Sequence, residues 1–129
     1  MSDTANLTSG PFAPRATFAE TYPLDAFYQQ RGEPLPVIGR VEPAGMPEPW
    51  RSLLVHNSDM TPTLRNFYRD DIHIRVLGRH LFENEYFREV VLLLNGTQKP
   101  IEYGAIKIVL DLFPEKARTE ILEETRPLG

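Results

Sequence analysis

The stretch IHIRVLGRHLFENEYFREVVLLLNGTQKPIEYGAIKIVL, Ile72 to Leu110, decides the fold. Apolar residues recur in it at every second position, the period of a strand whose successive side chains point to opposite faces. In the first run Ile72, Ile74 and Val76 alternate with His73, Arg75 and Leu77. In the second, Tyr86, Arg88, Val90, Leu92 and Leu94 form one face, and Phe87, Glu89, Val91 and Leu93 the other. In the third, Ile101, Tyr103, Ala105, Lys107 and Val109 oppose Glu102, Gly104, Ile106, Ile108 and Leu110. Asn95-Gly96 is a turn signal between the last two runs, and Thr97-Gln98-Lys99 leaves room for a longer hairpin loop. Links this short force antiparallel pairing, because a parallel return needs a crossover of about a dozen residues. The expected fold class is α+β, an antiparallel sheet with flanking helices.

Helical patterns flank this core. Pro49 suits a first helical turn, with Trp50, Leu53 and Leu54 at helical spacing and an end near His56-Asn57. Ser58 or Asp59 can cap a second helix, Met60 to Tyr68, on which Met60, Leu64, Phe67 and Tyr68 share a face. Pro114 starts another, Glu115 to Glu124, with Ala117, Ile121 and Leu122 inward. Leu24 to Gln30 reads as a short helix presenting Leu24, Phe27 and Tyr28. Gly32 to Pro49 holds five prolines and three glycines, which suits an irregular wrapped segment. Residues 1–23, rich in Ser, Thr, Pro and small side chains, read as a flexible N-terminal arm. Residues 24–129 are then a single α+β domain.

Composition narrows the function. A chain of 129 residues with 41% hydrophobic and 25% charged content is of ordinary size and make-up for one globular domain. A net charge of -4, with scattered Lys and Arg, argues against nucleic-acid and anionic-membrane partners. The absence of cysteine excludes disulfides, thiolate zinc sites and a Cys nucleophile together. No stretch approaches the roughly 20 apolar residues of a membrane span, and Met1 to Gly10 lacks a signal pattern, so the cytoplasm is the expected compartment.

Arg88 is the most informative residue. It interrupts a strand face that otherwise reads as buried, and its planar fork matches a carboxylate. The competing reading is a strand-end arginine that reaches solvent or pairs with Glu102 or Glu85. His56, His73 and His80 are too scattered for a metal motif: His56 ends a helix and the other two belong to a solvent-facing strand surface. Glu120, Glu123 and Glu124 read as the solvated side of the last helix. Arg65 and Arg69, one turn apart, read as solvated surface or a weak anion patch, and Met60 as core filler. No phosphate loop or nucleophile elbow is present, and no cofactor or metal is expected.

Three stretches taken together resemble the chorismate pyruvate-lyase family: LLVHNSDMTPTLRNFY (Leu53 to Tyr68), EYFREVVLLLNGTQKPIEYGAI (Glu85 to Ile106) and PLG (Pro127 to Gly129). The resemblance covers about residues 50–129. It implies an antiparallel sheet with helices around a buried ligand cavity, and removal of pyruvate from chorismate to give 4-hydroxybenzoate without cofactor or metal. By the same resemblance Arg88 binds a ligand carboxylate, Met60 lines the cavity, and the backbone of Leu128 contacts the ligand. The family's catalytic glutamate lies on a strand well after Pro-Leu-Gly, where this chain has no counterpart. The expected fold is therefore an incomplete version of the family's. Three functions follow: a lyase, a non-catalytic binding domain for a small aromatic or enolpyruvyl carboxylate, or a truncated member that pairs an open sheet edge with a second copy.

Overall fold

A computed structural model describes residues 10–13 and 19–128. Three antiparallel strands form one sheet in the order β1 (Ile72–Phe82), β2 (Glu85–Leu94), β3 (Pro100–Val109). Among the described residues four helices surround it: α1 (Leu24–Arg31), α2 (Trp50–Leu54), α3 (Met60–Tyr68) and α4 (Glu115–Glu123), with 3-10 turns at Pro43–Gly45 and Leu110–Leu112. The architecture is α+β, as the alternation predicts.

β1 is longer than its first alternating run because a bulge interrupts the period of two. Val76 pairs with Val90 and Gly78 with Glu89, leaving Leu77 as the extra residue, 53% exposed. Beyond the bulge the faces exchange parity: Arg79 and Leu81 join Ile72, Ile74 and Val76 on one side. Gly78 lies in close approach: a Cβ there would stand 3.2 Å from Glu89 Oε1 and 3.3 Å from the Phe27 ring, so these neighbours would have to give way slightly. A second irregularity skips Ile101 between the pairs Leu92↔Glu102 and Leu93↔Pro100, so Ile101 packs with the opposite face from the one alternation assigns it.

The hairpin between β1 and β2 is tight, with Glu83 left-handed at φ 55°. The one between β2 and β3 takes the longer form, closed by the Gln98 amide donating to Leu94 O at 2.9 Å. Gly96 donates to Asp70 Oδ2 at 2.9 Å, which ties this loop to the start of β1.

One face of the sheet carries two separate apolar clusters. Leu53 of α2 and Leu64 of α3 pack on Ile72, Ile74, Val90, Leu92 and Leu94. Ile121 of α4 packs on Tyr86, Ile108 and Leu110. Arg88 lies on β2 between Tyr86 and Val90, where the first cover ends and the second begins. The other face is closed by Ala26 and Phe27 of α1 together with Phe12 and Phe87. Phe12, within the segment read as an arm, is 7% exposed, with ring centroids 4.8 Å from Phe27 and 5.0 Å from Phe87. Residues 1–9 and 14–18 of that segment lie outside the described residues.

Several side chains differ from their sequence assignment. Asp59 stands at the N-terminus of α3 but makes no side-chain cap bond; instead Thr63 Oγ1 donates to Asp59 O at 2.9 Å. Phe67 is 49% exposed and Leu122 46% exposed, because each short helix meets the sheet along one narrow line and both residues fall beside it. His80 stacks on Phe12 at 4.6 Å between centroids rather than facing solvent. Glu124, expected on the solvated side of α4, turns inward because it follows the last helical residue in a left-handed conformation at φ 61°.

Candidate functional site

The gap between the two clusters is a cavity of about 230 Å³. Met60, Arg88 and Leu128, the three residues singled out through the family resemblance, all line it, and Thr61 and Glu102 add polar groups to an otherwise apolar wall. A smaller hollow of about 180 Å³ adjoins it, sharing Arg88, Pro127 and Leu128 and bordered by Glu120 and Arg126. Arg88 therefore sits where two hollows meet.

Arg88 is 2% exposed. Its Nη1 donates to Ile121 O at 3.4 Å and its Nη2 to Arg126 O at 3.3 Å, both long bonds. Its Nε is buried and has no partner among the described residues. No carboxylate among the described residues forms an ion pair with it. Glu85 pairs with Lys107 at 3.0 Å, and Glu102 stands elsewhere on the cavity wall, so neither proposed partner takes up the guanidinium. A buried guanidinium with weak carbonyl partners and one idle N–H is poorly satisfied.

A second charged group lies beside it. Arg79 is the direct cross-strand neighbour of Arg88, and like charges in that position repel. Glu124 resolves this by taking Arg79 in a two-bond fork, Nε to Oε2 at 2.9 Å and Nη2 to Oε1 at 2.7 Å. Tyr86 donates its hydroxyl to the same carboxylate. Arg79 and these bonds hold the Glu124 carboxyl below its ordinary range, while burial and then the Glu124 contact push the Tyr86 hydroxyl up to about 12. Arg79 is thus paired, while Arg88, which faces the cavity, also bears on Glu124 and on the Tyr86 hydroxyl through its charge.

Glu102 is the carboxyl on the wall of the larger cavity. Burial pushes it above the ordinary carboxylate range. The alternation puts Glu102 on the strand face of Ile106 and Ile108, and that position is the sequence signal for a carboxyl on this wall. Glu89, by contrast, points to the other face, 1% exposed and held by Arg31 and the Tyr103 hydroxyl.

The histidines are dispersed. His56 Nε2 lies 2.8 Å from Leu53 O, and His73 Nδ1 lies 2.6 Å from Asn95 Oδ1. Among the described residues no three His, Asp or Glu side chains gather as a metal site, and no helix is long and apolar enough to cross a membrane. Arg65 pairs with Asp71 at 3.5 Å rather than forming a patch with Arg69. Comparison with protein-family models, curated proteins and solved structures finds no match for the chain.

Proposed function

We propose that this is a chorismate lyase-like protein, whose cavity holds a small aromatic or enolpyruvyl carboxylate on Arg88 and removes pyruvate from chorismate to give 4-hydroxybenzoate. The observation that carries the reading is the buried Arg88 guanidinium, which has an unpartnered Nε and no paired carboxylate among the described residues. A ligand carboxylate supplies the bidentate partner that this fork lacks. Chorismate carries two carboxylates, and the two hollows meeting at Arg88 give room on either side of the anchor. The convergence of Met60, Arg88 and Leu128 on one wall supports the resemblance that named them.

One observation favours a second reading, a non-catalytic binding domain for the same ligands. Aromatising the ring while breaking the enolpyruvyl ether needs a positioned carboxyl group. The carboxyl on the larger cavity's wall is Glu102, which does not correspond to the family's glutamate. Cytoplasmic location and self-association along an outer strand edge belong to the proposal as well; β1 and β3 each pair with one strand among the described residues.

Two measurements test the proposal together: release of 4-hydroxybenzoate from chorismate, and calorimetric titration with 4-hydroxybenzoate. Turnover that Arg88→Met abolishes supports the lyase. Saturable binding without turnover selects the binding domain. Absence of both overturns the assignment of this cavity.

A further inference from the structure

The residues that follow α4 run across the sheet, and each touches it at a different point. Glu124 receives the Arg79 fork at 2.9 and 2.7 Å and accepts the Tyr86 hydroxyl. Thr125 O accepts from Ile74 N on the outer strand β1 at 3.5 Å, the limit of a hydrogen bond. Arg126 O accepts from Arg88 Nη2 at 3.3 Å. Pro127 and Leu128 then line both hollows. Thr125, Arg126 and Leu128 are exposed on their outer side. Residues 124–128 thus form a strap laid from β1 across the hollows.

The fastenings of this strap are unequal. Its Thr125 and Arg126 carbonyl bonds are long and weak. The Arg126 side chain reaches Glu120 at 3.7 Å, which ties the strap only to its own helix. The short, charge-assisted contact is the Arg79–Glu124 fork. That fork lies at the surface, since the Arg79 side chain is 59% exposed, so water and salt reach it. Arg79 is not among the residues lining either hollow.

We propose that residues 124–128 are a strap that opens to admit solutes to the hollows, and that the Arg79–Glu124 fork is its clasp. The inference concerns access and holds whatever the hollows bind. With Arg79 removed, Glu124 keeps the Tyr86 hydroxyl, so the strap opens more often without detaching.

The chain has no cysteine, so one introduced thiol reports on one place. Thr61 is buried on the wall of the larger hollow, and Thr61→Cys changes its size little. The whole chain carrying Thr61→Cys is treated with methyl methanethiosulfonate, a small neutral reagent, and the labelling rate is followed. Adding Arg79→Met should raise that rate about three- to fivefold, the range of a partly exposed ion pair. Sodium chloride at about 0.5 M should speed labelling of the parent and leave the Arg79→Met rate unchanged. Deuterium uptake by the central β2 amides should not change, because these open only with the whole fold. If Thr61→Cys disturbs folding, Ala117→Cys on α4, in the smaller hollow, takes its place. Labelling of the parent as fast as that of the unfolded chain means a hollow open without any strap and overturns the proposal. An unchanged rate in Arg79→Met overturns it too, as does a rise matched by faster exchange throughout β2.

Discussion

Arg88 and Glu89 are consecutive on β2, both buried, and their side chains leave opposite faces of the sheet. Glu89 is fully engaged: Arg31 Nη1 and the Tyr103 hydroxyl donate to its two oxygens. Arg31 keeps Glu33 and solvent, so Glu89→Ala removes two bonds to a charged acceptor and should lower stability by about 2 kcal/mol in urea unfolding. Arg88 is the reverse case. Its two carbonyl bonds are long and its Nε is unmet, so an apolar side chain of similar length relieves a desolvated charge. Arg88→Met should leave the ligand-free protein as stable as the wild type, or more so by about 1 kcal/mol, when thermal midpoints are compared. A midpoint well below the wild type's would make Arg88 a structural clamp. That Arg88 is anomalous was legible from the alternation alone. That Glu85 and Glu102 leave it unpaired was not, because partner choice depends on which helix ends reach the strand.

At the scale of elements, each strand was readable as far as its period of two held. β2 has no interruption, and its faces fell where the alternation put them. β1 was cut short at Leu77, and Ile101 was placed on the wrong face, because a bulge shifts parity without a signature in hydrophobicity. Gly78 was the local clue at the first of these. A methyl group there must displace either the Glu89 carboxylate or the Phe27 ring, so Gly78→Ala should destabilise by about 1–3 kcal/mol. Equilibrium unfolding alongside Glu89→Ala checks this, and the two effects should fall short of additive because both disturb one contact. Helices α1, α3 and α4 were placed within a residue by their prolines and apolar spacing, whereas α2 stops at Leu54, short of the end expected near His56-Asn57. Their inward faces were read too broadly, since nine-residue helices at a sheet rim bury a single line of side chains, such as Leu64 on α3 and Ile121 on α4.

For the molecule as a whole, the sheet needs cover on both sides, and the back cover was the part least visible in sequence. Phe12 stands alone in a polar, proline-rich stretch, with no periodicity to mark it as core. Yet it joins Phe27, Phe87 and His80 in one aromatic cluster. Burial lowers His80 from its ordinary value of 6.5, so the folded protein favours the neutral ring. Below that ordinary value the unfolded chain takes up a proton that the folded one resists. Stability should therefore be complete above it and decline as pH falls through it. Thermal midpoints measured between neutral and mildly acid pH should show that decline, and His80→Phe should flatten it while keeping the stack on Phe12.

The carbonyls that hold Arg88 belong to Ile121, in the last turns of α4, and to Arg126, just beyond it. One guanidinium thus touches the C-terminal helix through two long bonds and faces the cavity, which links the two contacts in a thermodynamic cycle. A ligand that draws Nη1 and Nη2 away loosens that helix, and a ligand that engages the idle Nε leaves it docked. Deuterium uptake by the amides of α4 then becomes a gauge of how the guanidinium is being shared.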